Sequence, residues 1–464
     1  MELQLQKTWD TQQIKQLKSD TGQALLDDES TLVSFSQDFG KLIQSYPSAV
    51  SIPKDVTQVQ QFISFAHDNT LPIVIRAKGL SQGGQSLPGA GGVTLSMQHF
   101  DKVLDLEADG VWLEANCTWA SLLELSLKSG KAPFVLPYNC NLSIAGVLSA
   151  GGVGASSFKY GFINAYVLAL ELIDGTGTLH TVDKNSPLFH ACLSGQGRCA
   201  VITKAKIALR PVQKQVKTFS LVYADVTKWF EDIERLKSKV DYMELFCSPS
   251  IQGSKLKQGK RVAMAQWLYG MHLSVEFSGK APELNDIASN LSYWNVLNTQ
   301  EDTIADYFLR HNPRFEMMRL LGQWDLYHPW YECFVPTKVL QDNLSRLLDE
   351  LPLHYASLAQ VVPIARQKAQ LMMLPDDDSI SEFMILNPGI PSVLKDSALQ
   401  AVQDLDAFLL DQGGKRYLSG YLGHTVNKEY WQRHFGNHYD QWMTLKEQYD
   451  PHHIFNSVLH QISR

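Results

Sequence analysis

The chain has few cysteines and no motif that would pair them. Its 464 residues include six cysteines, and none of these lies in a Cys-x-x-Cys motif. Scattered cysteines of this kind favour reduced, buried thiols over a disulfide framework or a zinc site. The first residues also lack a basic start followed by an apolar core, so no secretory signal is expected, although export by another route stays open. We therefore expect a cytoplasmic protein.

Positive charge is also scarce. Lys and Arg total 41 against 48 Asp and Glu, which gives a net charge of -7, and no dense basic cluster occurs. A nucleic-acid surface needs such a cluster to follow the phosphate backbone. We expect no nucleic-acid partner, and the sequence leaves the oligomeric state open.

Long apolar runs are missing as well. The longest stretch without charge, Ala132 to Phe158, is long enough to cross a bilayer, but it is crowded with Gly, Ser, Asn and Pro. This composition predicts a buried region of loops and strands, with no membrane partner.

A glycine-rich loop stands out among the features that are present. The apolar run Leu71 to Ile75 predicts a strand, and Arg76 to Gln85 follow it with three glycines and Ser81. Glycines let consecutive main-chain N–H groups converge on an anion such as a pyrophosphate, with the Ser81 hydroxyl as a further donor. Taken alone, the pattern is more typical of an ordinary turn, so the rest of the chain has to decide.

Hydrophobic periodicity predicts a mixture of helices and strands without long βαβ regularity, that is, an α+β protein. The composition changes after Val212, where helices become frequent. Small residues fill the segment Leu142 to Gly154, which suits a backbone packed close against a ligand. The predicted strands are Val93 to Leu95, Val103 to Leu106, Val111 to Ala115, Val167 to Asp174, Leu179 to Val182, Ala200 to Leu209, Tyr242 to Cys247 and Trp267 to Phe277. The predicted helices are Asp55 to Asn69, Trp119 to Ser129, Val226 to Val240, Val339 to Leu351 and Val393 to Asp411.

Several separated motifs occur together and in a fixed order. They are Leu188-Phe189 with Gly195-Gln196-Gly197 and Val201 to Ala205, Trp324 with His328-Pro329-Trp330 and Phe334-Val335-Pro336, and Tyr417-Leu418, Trp431, His434-Phe435-Gly436, Trp442, Lys446 and Tyr449-Asp450-Pro451. With these motifs the chain, from about residue 50 to its end, resembles the cytokinin dehydrogenases, which are FAD enzymes of the vanillyl-alcohol-oxidase type. The resemblance favours the flavin pyrophosphate loop as the interpretation of Arg76 to Gln85.

The resemblance implies the domain organisation. A two-part FAD-binding domain of the vanillyl-alcohol-oxidase (PCMH) type would comprise residues 1–212 and 416–464, and an α+β substrate cap would comprise residues 213–415. The pocket would lie between these two parts, where small-molecule sites commonly occur.

The resemblance also implies which residues contact FAD. They lie in the glycine-rich loop, in the small-residue segment and at two further positions. The implied cofactor-binding residues are Ile75, Ala77, Lys78, Gly79, Leu80, Ser81, Gln85, Ser143, Ser149, Val153, Ile202 and Tyr417.

The chain departs from the family at the flavin tether. The family normally carries a histidine at the position between Gly79 and Ser81, and this chain has Leu80 there. An aliphatic side chain cannot form the bond to the flavin, so we predict noncovalent FAD.

The pocket residues depart from the family as well. The acid that takes the proton from the reacting amine aligns with Tyr138, next to Asn139, and a phenol with a pKa near ~10 would need a stabilised phenolate to act as a base. A second pocket carboxylate aligns loosely with His272, a candidate base or polar anchor with a pKa near ~6.5, and Glu276 lies on the same strand face. A structural role for His272 is an equal alternative.

Trp330 is kept and would line the substrate pocket, or else serve as a core anchor.

The C-terminal motif and the histidines near the end of the chain also bear on the site. The family's C-terminal Pro-Gly-Gln is replaced by Asn456-Ser457-Val458, so its contact with the cofactor or substrate is in doubt. The histidines at positions 434, 438, 452 and 453 lack a carboxylate or cysteine at a spacing that would complete a metal shell, so we expect no metal.

The sequence therefore predicts an FAD-dependent oxidoreductase that acts on a small-molecule substrate of the N6-isoprenoid adenine type. One alternative keeps the fold and the cofactor but assigns another amine or an alcohol as the substrate, because the two acidic contacts are replaced. A second alternative is a flavin-binding sensor that has lost catalysis.

Overall fold

The computed structural model describes residues 8–257, 259–366, 371–422 and 426–461, and within them the chain forms an α+β fold with three sheets. The strands are β1 (Val50–Ser51), β2 (Ile73–Arg76), β3 (Val93–Ser96), β4 (Val103–Leu106), β5 (Gly110–Glu114), β6 (Lys131–Pro133), β7 (Val167–Asp174), β8 (Leu179–Asp183), β9 (Ala200–Pro211), β10 (Gln215–Tyr223), β11 (Tyr242–Lys257), β12 (Lys260–Phe277), β13 (Asn295–Thr303), β14 (Tyr331–Pro336), β15 (Ala359–Ile364), β16 (Ile380–Ile385) and β17 (Lys415–Arg416).

The helices surround these sheets. They are α1 (Thr11–Thr21), α2 (Glu29–Ser34), α3 (Val56–Asn69), α4 (Trp119–Ser126), α5 (Ile144–Ala150), α6 (Ser157–Tyr160), α7 (Pro187–Cys192), α8 (Val226–Leu236), α9 (Leu284–Ile287), α10 (Ile304–Phe308), α11 (Asn312–Leu320), α12 (Thr337–Glu350), α13 (Lys395–Leu409), α14 (Lys428–Phe435), α15 (Tyr439–Tyr449) and α16 (Val458–Gln461). Among the helices described, none is long and apolar enough to span a bilayer.

The first half of the chain builds two small sheets. A three-stranded parallel sheet has the order β1-β3-β2, and a sheet with the order β4-β5-β9-β7-β8 is antiparallel, with β6 added along β9. The helix α3 feeds into β2: the Asp55 side chain caps its start by accepting from the Gln58 N–H, and Thr70 ends it in a left-handed conformation. This α3–β2 unit delivers the chain to the glycine-rich loop.

The middle of the chain builds an eight-stranded sheet with the order β13-β10-β12-β11-β15-β16-β14-β17. Its strands β14, β15 and β16 are buried on both faces, apart from Pro336, and α12 and α13 pack against the sheet. The predicted boundary between residues 415 and 416 falls within β17, which pairs with β14.

Two large apolar cores and two smaller ones lie among the described residues. The first core combines residues of the first half with C-terminal ones such as Trp431, Trp442 and Phe455, so the two ends of the chain pack as one unit. The second core lies under the eight-stranded sheet. A third core joins Val153 and Phe162 to Phe334 and other residues of the eight-stranded sheet. The pairing of the two ends agrees with a two-part domain, whose exact bounds stay a prediction.

Sequence periodicity finds the buried elements and misses exposed strands. The predicted helices and strands from Asp55 to Leu209 all occur, and each end is the same or differs by one to three residues. The strand predicted over Tyr242 to Cys247 is wrong in length, because β11 continues to Lys257 and pairs with β12 throughout. The outer half of this hairpin is exposed, so its residues carry no alternation of buried and exposed side chains. All six cysteines are free and buried, as predicted.

Candidate functional site

A cavity of about 720 Å³ lies between the glycine-rich loop and the eight-stranded sheet. This volume is in the upper part of the range for small-molecule sites. All sixteen residues that the sequence singled out for the cofactor, the chemistry and the substrate line this one cavity. Their proximity agrees with a shared site, while the role of each residue stays a prediction.

The cofactor side of the cavity begins with main-chain donors. Lys78, Gly79, Leu80, Ser81 and Gln82 line the cavity in sequence, and their N–H groups find no acceptor in the described part of the chain. Gly79 has a φ of +66°, the left-handed region that glycine adopts without strain. Consecutive N–H groups left open in this way form a cradle for an anion. The loop therefore has the chemistry that a pyrophosphate requires.

A buried carboxyl group fixes the shape of the loop from behind. The Ser81 hydroxyl donates to Oδ2 of Asp38 at 3.0 Å, and the Gly84 N–H donates to the same oxygen at 2.9 Å. Burial raises the pKa of Asp38 to about 6, although these two hydrogen bonds and Arg76 oppose the shift. In this structure the Ser81 hydroxyl is engaged by Asp38 and by the Ser86 hydroxyl at 2.8 Å, so its donation to an anion stays a prediction.

The small-residue segment forms the next part of this wall as α5 and the turn after it. Ser143, Ser149 and Val153 line the cavity, and the Gly152 N–H donates to the Tyr417 hydroxyl at 2.7 Å. A Cβ atom at Gly154 would lie 1.8 Å from the main-chain oxygen of Leu136, so no side chain fits there. The composition of the segment therefore reflects close main-chain packing.

The C-terminal segment closes the bottom of the cofactor side. Asp450 is fully buried, forms an ion pair with Lys446 at 2.7 Å, and accepts from the N–H groups of Ile454 and Phe455. The chain then pairs with β2, since the Asn456 N–H donates to the Ile73 oxygen at 2.8 Å. Asn456 and Ser457 line the cavity, so the segment that replaces the family's Pro-Gly-Gln still reaches the site.

These residues fit a dinucleotide cofactor. The open N–H groups suit its pyrophosphate, and the small residues leave room for a flat ring system. Gln82 adds a buried side-chain oxygen with no partner in the described part of the chain. Leu80 packs against the small core of Phe39, Phe315 and Met318, as Trp324 and Trp330 also do, so the position of the missing tether lies beside the pocket of the cap.

The opposite wall carries an ion-paired cluster that sequence reasoning missed. Glu244 of β11 is buried, and its two oxygens lie 2.8 Å from Nε of Arg310 and 2.7 Å from Nε2 of His311. Burial alone would raise the pKa of Glu244, but Arg310 and His311 outweigh it and hold the pKa below its usual range. Glu244 is therefore a carboxylate whose charge is already neutralised.

Tyr138 lies beside this cluster, with its ring edge-on to His311 at 5.5 Å. Its hydroxyl is buried and has no partner within the described residues. Burial and then the Glu244 carboxylate raise the pKa of Tyr138 well above its usual value. The stabilised phenolate that a base would need is absent here, so Tyr138 is a neutral phenol that can donate a hydrogen bond.

His272 of β12 lies in register with Glu244 on one side and Ser220 on the other. Burial lowers the pKa of His272, so the imidazole is neutral at neutral pH and can accept or donate a hydrogen bond. Glu276 is engaged elsewhere, with Arg210 at 2.7 Å and the Tyr242 hydroxyl at 2.6 Å. Of these two residues on β12, His272 is the one that lines the cavity.

Trp330 is fixed in orientation. Its Nε1 donates to the Asn387 oxygen at 2.7 Å, and its ring meets Phe39 edge-on at 5.3 Å. Asn139 also lines the cavity, and its side-chain oxygen accepts from the Asn141 N–H. Both residues are positioned to contact a bound substrate, which stays a prediction.

Three polar side chains of the eight-stranded sheet lie among apolar neighbours on this wall. They are Glu332 on β14, Gln360 on β15 and Glu382 on β16, all buried. Glu332 and Gln360 line the cavity, and Glu382 lies next to them within the third apolar core. Sequence reasoning missed these residues, although a single acidic residue inside an apolar strand, as in Tyr331-Glu332-Cys333-Phe334, is a usable signal.

No group of three or more potential metal ligands occurs among the described residues. His434 instead packs among aromatic rings, including Tyr430 at 5.8 Å. Among the residues that line the cavity, Glu244, His272, Tyr138 and Glu332 have shifted pKa values, and such shifts in a cavity commonly mark function.

Comparison with known proteins identifies two family models in the chain. A model described as "FAD binding domain" matches residues 47–183, and a model described as "Cytokinin dehydrogenase 1, FAD and cytokinin binding" matches residues 213–459. The second match covers more than half of the chain. Residues from both matched ranges line the cavity.

Similar curated proteins match over nearly the whole chain. Cytokinin dehydrogenase 2 of Arabidopsis thaliana is 27% identical, with 91% of this chain and 90% of that protein covered. Cytokinin dehydrogenase 7 of Oryza sativa subsp. japonica is 28% identical, with 92% and 89% covered. Cytokinin dehydrogenase 4 of Arabidopsis thaliana is 27% identical, with 93% and 91% covered.

Proposed function

Because this chain belongs to the cytokinin dehydrogenase family of FAD-dependent oxidoreductases, we propose that it oxidises the carbon next to the amine nitrogen of an N6-isoprenoid adenine. The observation that carries the proposal is the single cavity that joins the main-chain cradle to the polar and aromatic wall of the cap. A planar, largely apolar molecule with a few polar nitrogens matches this combination.

The cofactor is FAD, which when bound accepts a hydride from the substrate carbon. The N–H groups from Lys78 to Gln82 would hold its pyrophosphate, and Tyr417 and the small residues of α5 would border its ring. Leu80 offers no nucleophilic atom, so the cofactor is held without a covalent link at this position.

The cap wall would bind and orient the substrate. Trp330 and Phe315 supply aromatic surface, while Tyr138, Asn139 and His272 supply hydrogen-bonding groups. Tyr138 can donate but has no basis for taking a proton, since its pKa is raised. The substrate nitrogen therefore needs another proton acceptor in this wall.

The test is the absorption spectrum of the purified protein before and after isopentenyladenine is added without oxygen. We expect the long-wavelength flavin band to bleach, and adenine and an aldehyde to form after hydrolysis of the imine. Bleaching by other amines or alcohols but not by isopentenyladenine would favour a different substrate. A spectrum that shifts with isopentenyladenine but is not bleached by any of these compounds would favour a sensor.

A further inference from the structure

Glu332 and Glu382 form a carboxyl pair in the cap wall that the family resemblance did not suggest. β14 and β16 are antiparallel, with Glu332 opposite Met384 and Phe334 opposite Glu382. Because strand residues alternate between faces, the side chains of Glu332 and Glu382 lie on the same face, two positions apart along the sheet. Glu332 is 8% exposed and Glu382 is fully buried.

Among the described residues, no cation forms an ion pair with Glu332 or Glu382. The Ser419 hydroxyl donates to Oε2 of Glu332, and neither oxygen of Glu382 has a partner within the described residues. The nearby Arg416 is bound to both oxygens of Asp406 at 3.0 Å, so its charge is already compensated. Two adjacent carboxyl groups in such surroundings cannot both be ionised at low cost.

The pair therefore retains a proton near neutral pH. Burial raises the pKa of both groups, and the charge of Glu332 raises the pKa of Glu382 further. Glu382 is thus the neutral member, and Glu332 is the member that can gain and lose a proton. A carboxyl group whose pKa is moved towards neutrality is suited to accept a proton in catalysis.

The position of Glu332 relates it to the cofactor side of the cavity. Ser419, its hydrogen-bond donor, lies between Leu418 and Gly420, whose oxygens both accept from Nε2 of Gln85 in the glycine-rich loop. The Tyr417 N–H donates to the main-chain oxygen of Glu332 at 3.1 Å. Glu332 thus occupies the junction of the two walls, whereas His272 lies in register with Glu244.

We propose that Glu332 is the residue that accepts the proton of the substrate nitrogen, while Glu382 stays neutral beside it and takes no part in the reaction. The N–H bond breaks, its electron pair forms the second bond of the C=N product, and its proton passes to the Glu332 carboxylate. The carbon's hydrogen leaves as hydride to the FAD, which balances the two electrons. This assignment rests on the proposed function.

The experiment compares Glu332→Gln with Glu382→Gln, each of which replaces a carboxyl by an amide of the same shape. In Glu332→Gln we expect the anaerobic rate of flavin reduction by isopentenyladenine to fall by about 10²- to 10⁴-fold, the usual contribution of a general base. In Glu382→Gln the rate should stay within about threefold of wild type, because the amide mimics a neutral carboxyl group. FAD content should be unchanged in both variants.

Adenine binding provides a readout that does not require turnover. Ionised Glu332 accepts a hydrogen bond from the ligand, so adenine affinity, followed by the flavin spectrum between about pH 5 and pH 9, should rise with pH in wild type and in Glu382→Gln. The affinity for adenine should be independent of pH in Glu332→Gln. If Glu332→Gln loses FAD, Glu332→Asp serves in its place and should retain the pH dependence with a shifted midpoint.

Two results would overturn the assignment. One is a Glu332→Gln enzyme that is reduced as fast as wild type or keeps the pH dependence of adenine binding. The other is a Glu382→Gln enzyme as slow as Glu332→Gln. Wild-type protein that isopentenyladenine does not reduce would instead contradict the proposed function, while the adenine titration would still test the protonation of Glu332.

Discussion

The two walls of the cavity are built on different principles. The cofactor wall presents main-chain N–H groups and small residues, with Asp38 and Asp450 bound to the main chain behind it. The cap wall presents side chains, among them the Glu244 cluster and the Glu332–Glu382 pair. Recognition of the cofactor therefore depends on the path of the main chain, whereas the chemistry of the cap depends on individual side chains.

The largest expected effect concerns the cofactor wall. Since Leu80 cannot form a covalent link to the flavin, acid precipitation should release all of the FAD into the supernatant. Absorbance of the supernatant measures the released FAD, and fluorescence of a denaturing gel measures any FAD that remains bonded to the protein. A yellow, fluorescent protein band would contradict the prediction that this wall holds FAD without a covalent bond.

The next effect concerns the buried ion pair of the cap wall. Glu244→Gln leaves Arg310 without its counter-charge, so the free energy of unfolding should fall by about 3–5 kcal/mol at pH 7. The pKa of Glu244 is held low, so its stabilising contribution is fully present above the ordinary glutamate pKa of ~4.3, begins to decline below it, and is lost as the pH falls through the lower folded-state pKa. Urea unfolding should therefore show a smaller difference in the free energy of unfolding between wild type and Glu244→Gln at pH 4 than at pH 7.

Glu301→Gln is the matched control for that prediction. Glu301 lies 3.0 Å from Lys217, but its side chain is 46% exposed. Exposed pairs contribute about 0–1 kcal/mol, so this variant should unfold almost as wild type does. Equal losses in the two variants would remove the distinction between a buried and an exposed pair.

A smaller effect tests close packing in the cofactor wall. Gly154→Ala places a methyl group against the Leu136 oxygen and should cost about 1–3 kcal/mol and lower the FAD content of purified protein. Gly130→Ala is its control, because Gly130 has a φ of +68° but no atom within 4 Å of the added methyl group. The control should cost about 1 kcal/mol and leave FAD content unchanged, as flavin absorbance relative to protein would show.

The smallest effect is expected for Tyr138→Phe. The lost hydroxyl is neutral and has no partner in the described part of the chain, so stability should change by less than about 1 kcal/mol. The rate of flavin reduction should fall less than about tenfold, with the same pH profile from about pH 6 to pH 9. A much larger loss of rate, or a pH profile that becomes flat, would restore Tyr138 as the base.

The sequence predicted the residues of the cofactor wall better than those of the cap wall. The glycine-rich loop could be found because its residue types and the strand before it are local features of the chain. The Glu244 cluster could not, since Arg310 lies 66 positions along the chain from Glu244 and no local pattern relates them. The replacements at Tyr138 and His272 were visible, but their protonation depended on neighbours brought together by folding.

The sequence by itself determined the α+β class, most buried helices and strands, the family and the cofactor, because periodicity and separated motifs are written along the chain. The tertiary structure alone decided that the Ser81 hydroxyl donates to Asp38 and that Tyr138 stays neutral. It also decided that Glu332 and Glu382 lie on one face of the sheet with no ion-pair partner among the described residues. The reason is physical: a hydrogen bond or a pKa depends on which distant groups share a buried volume, and only the packing of the strands sets that.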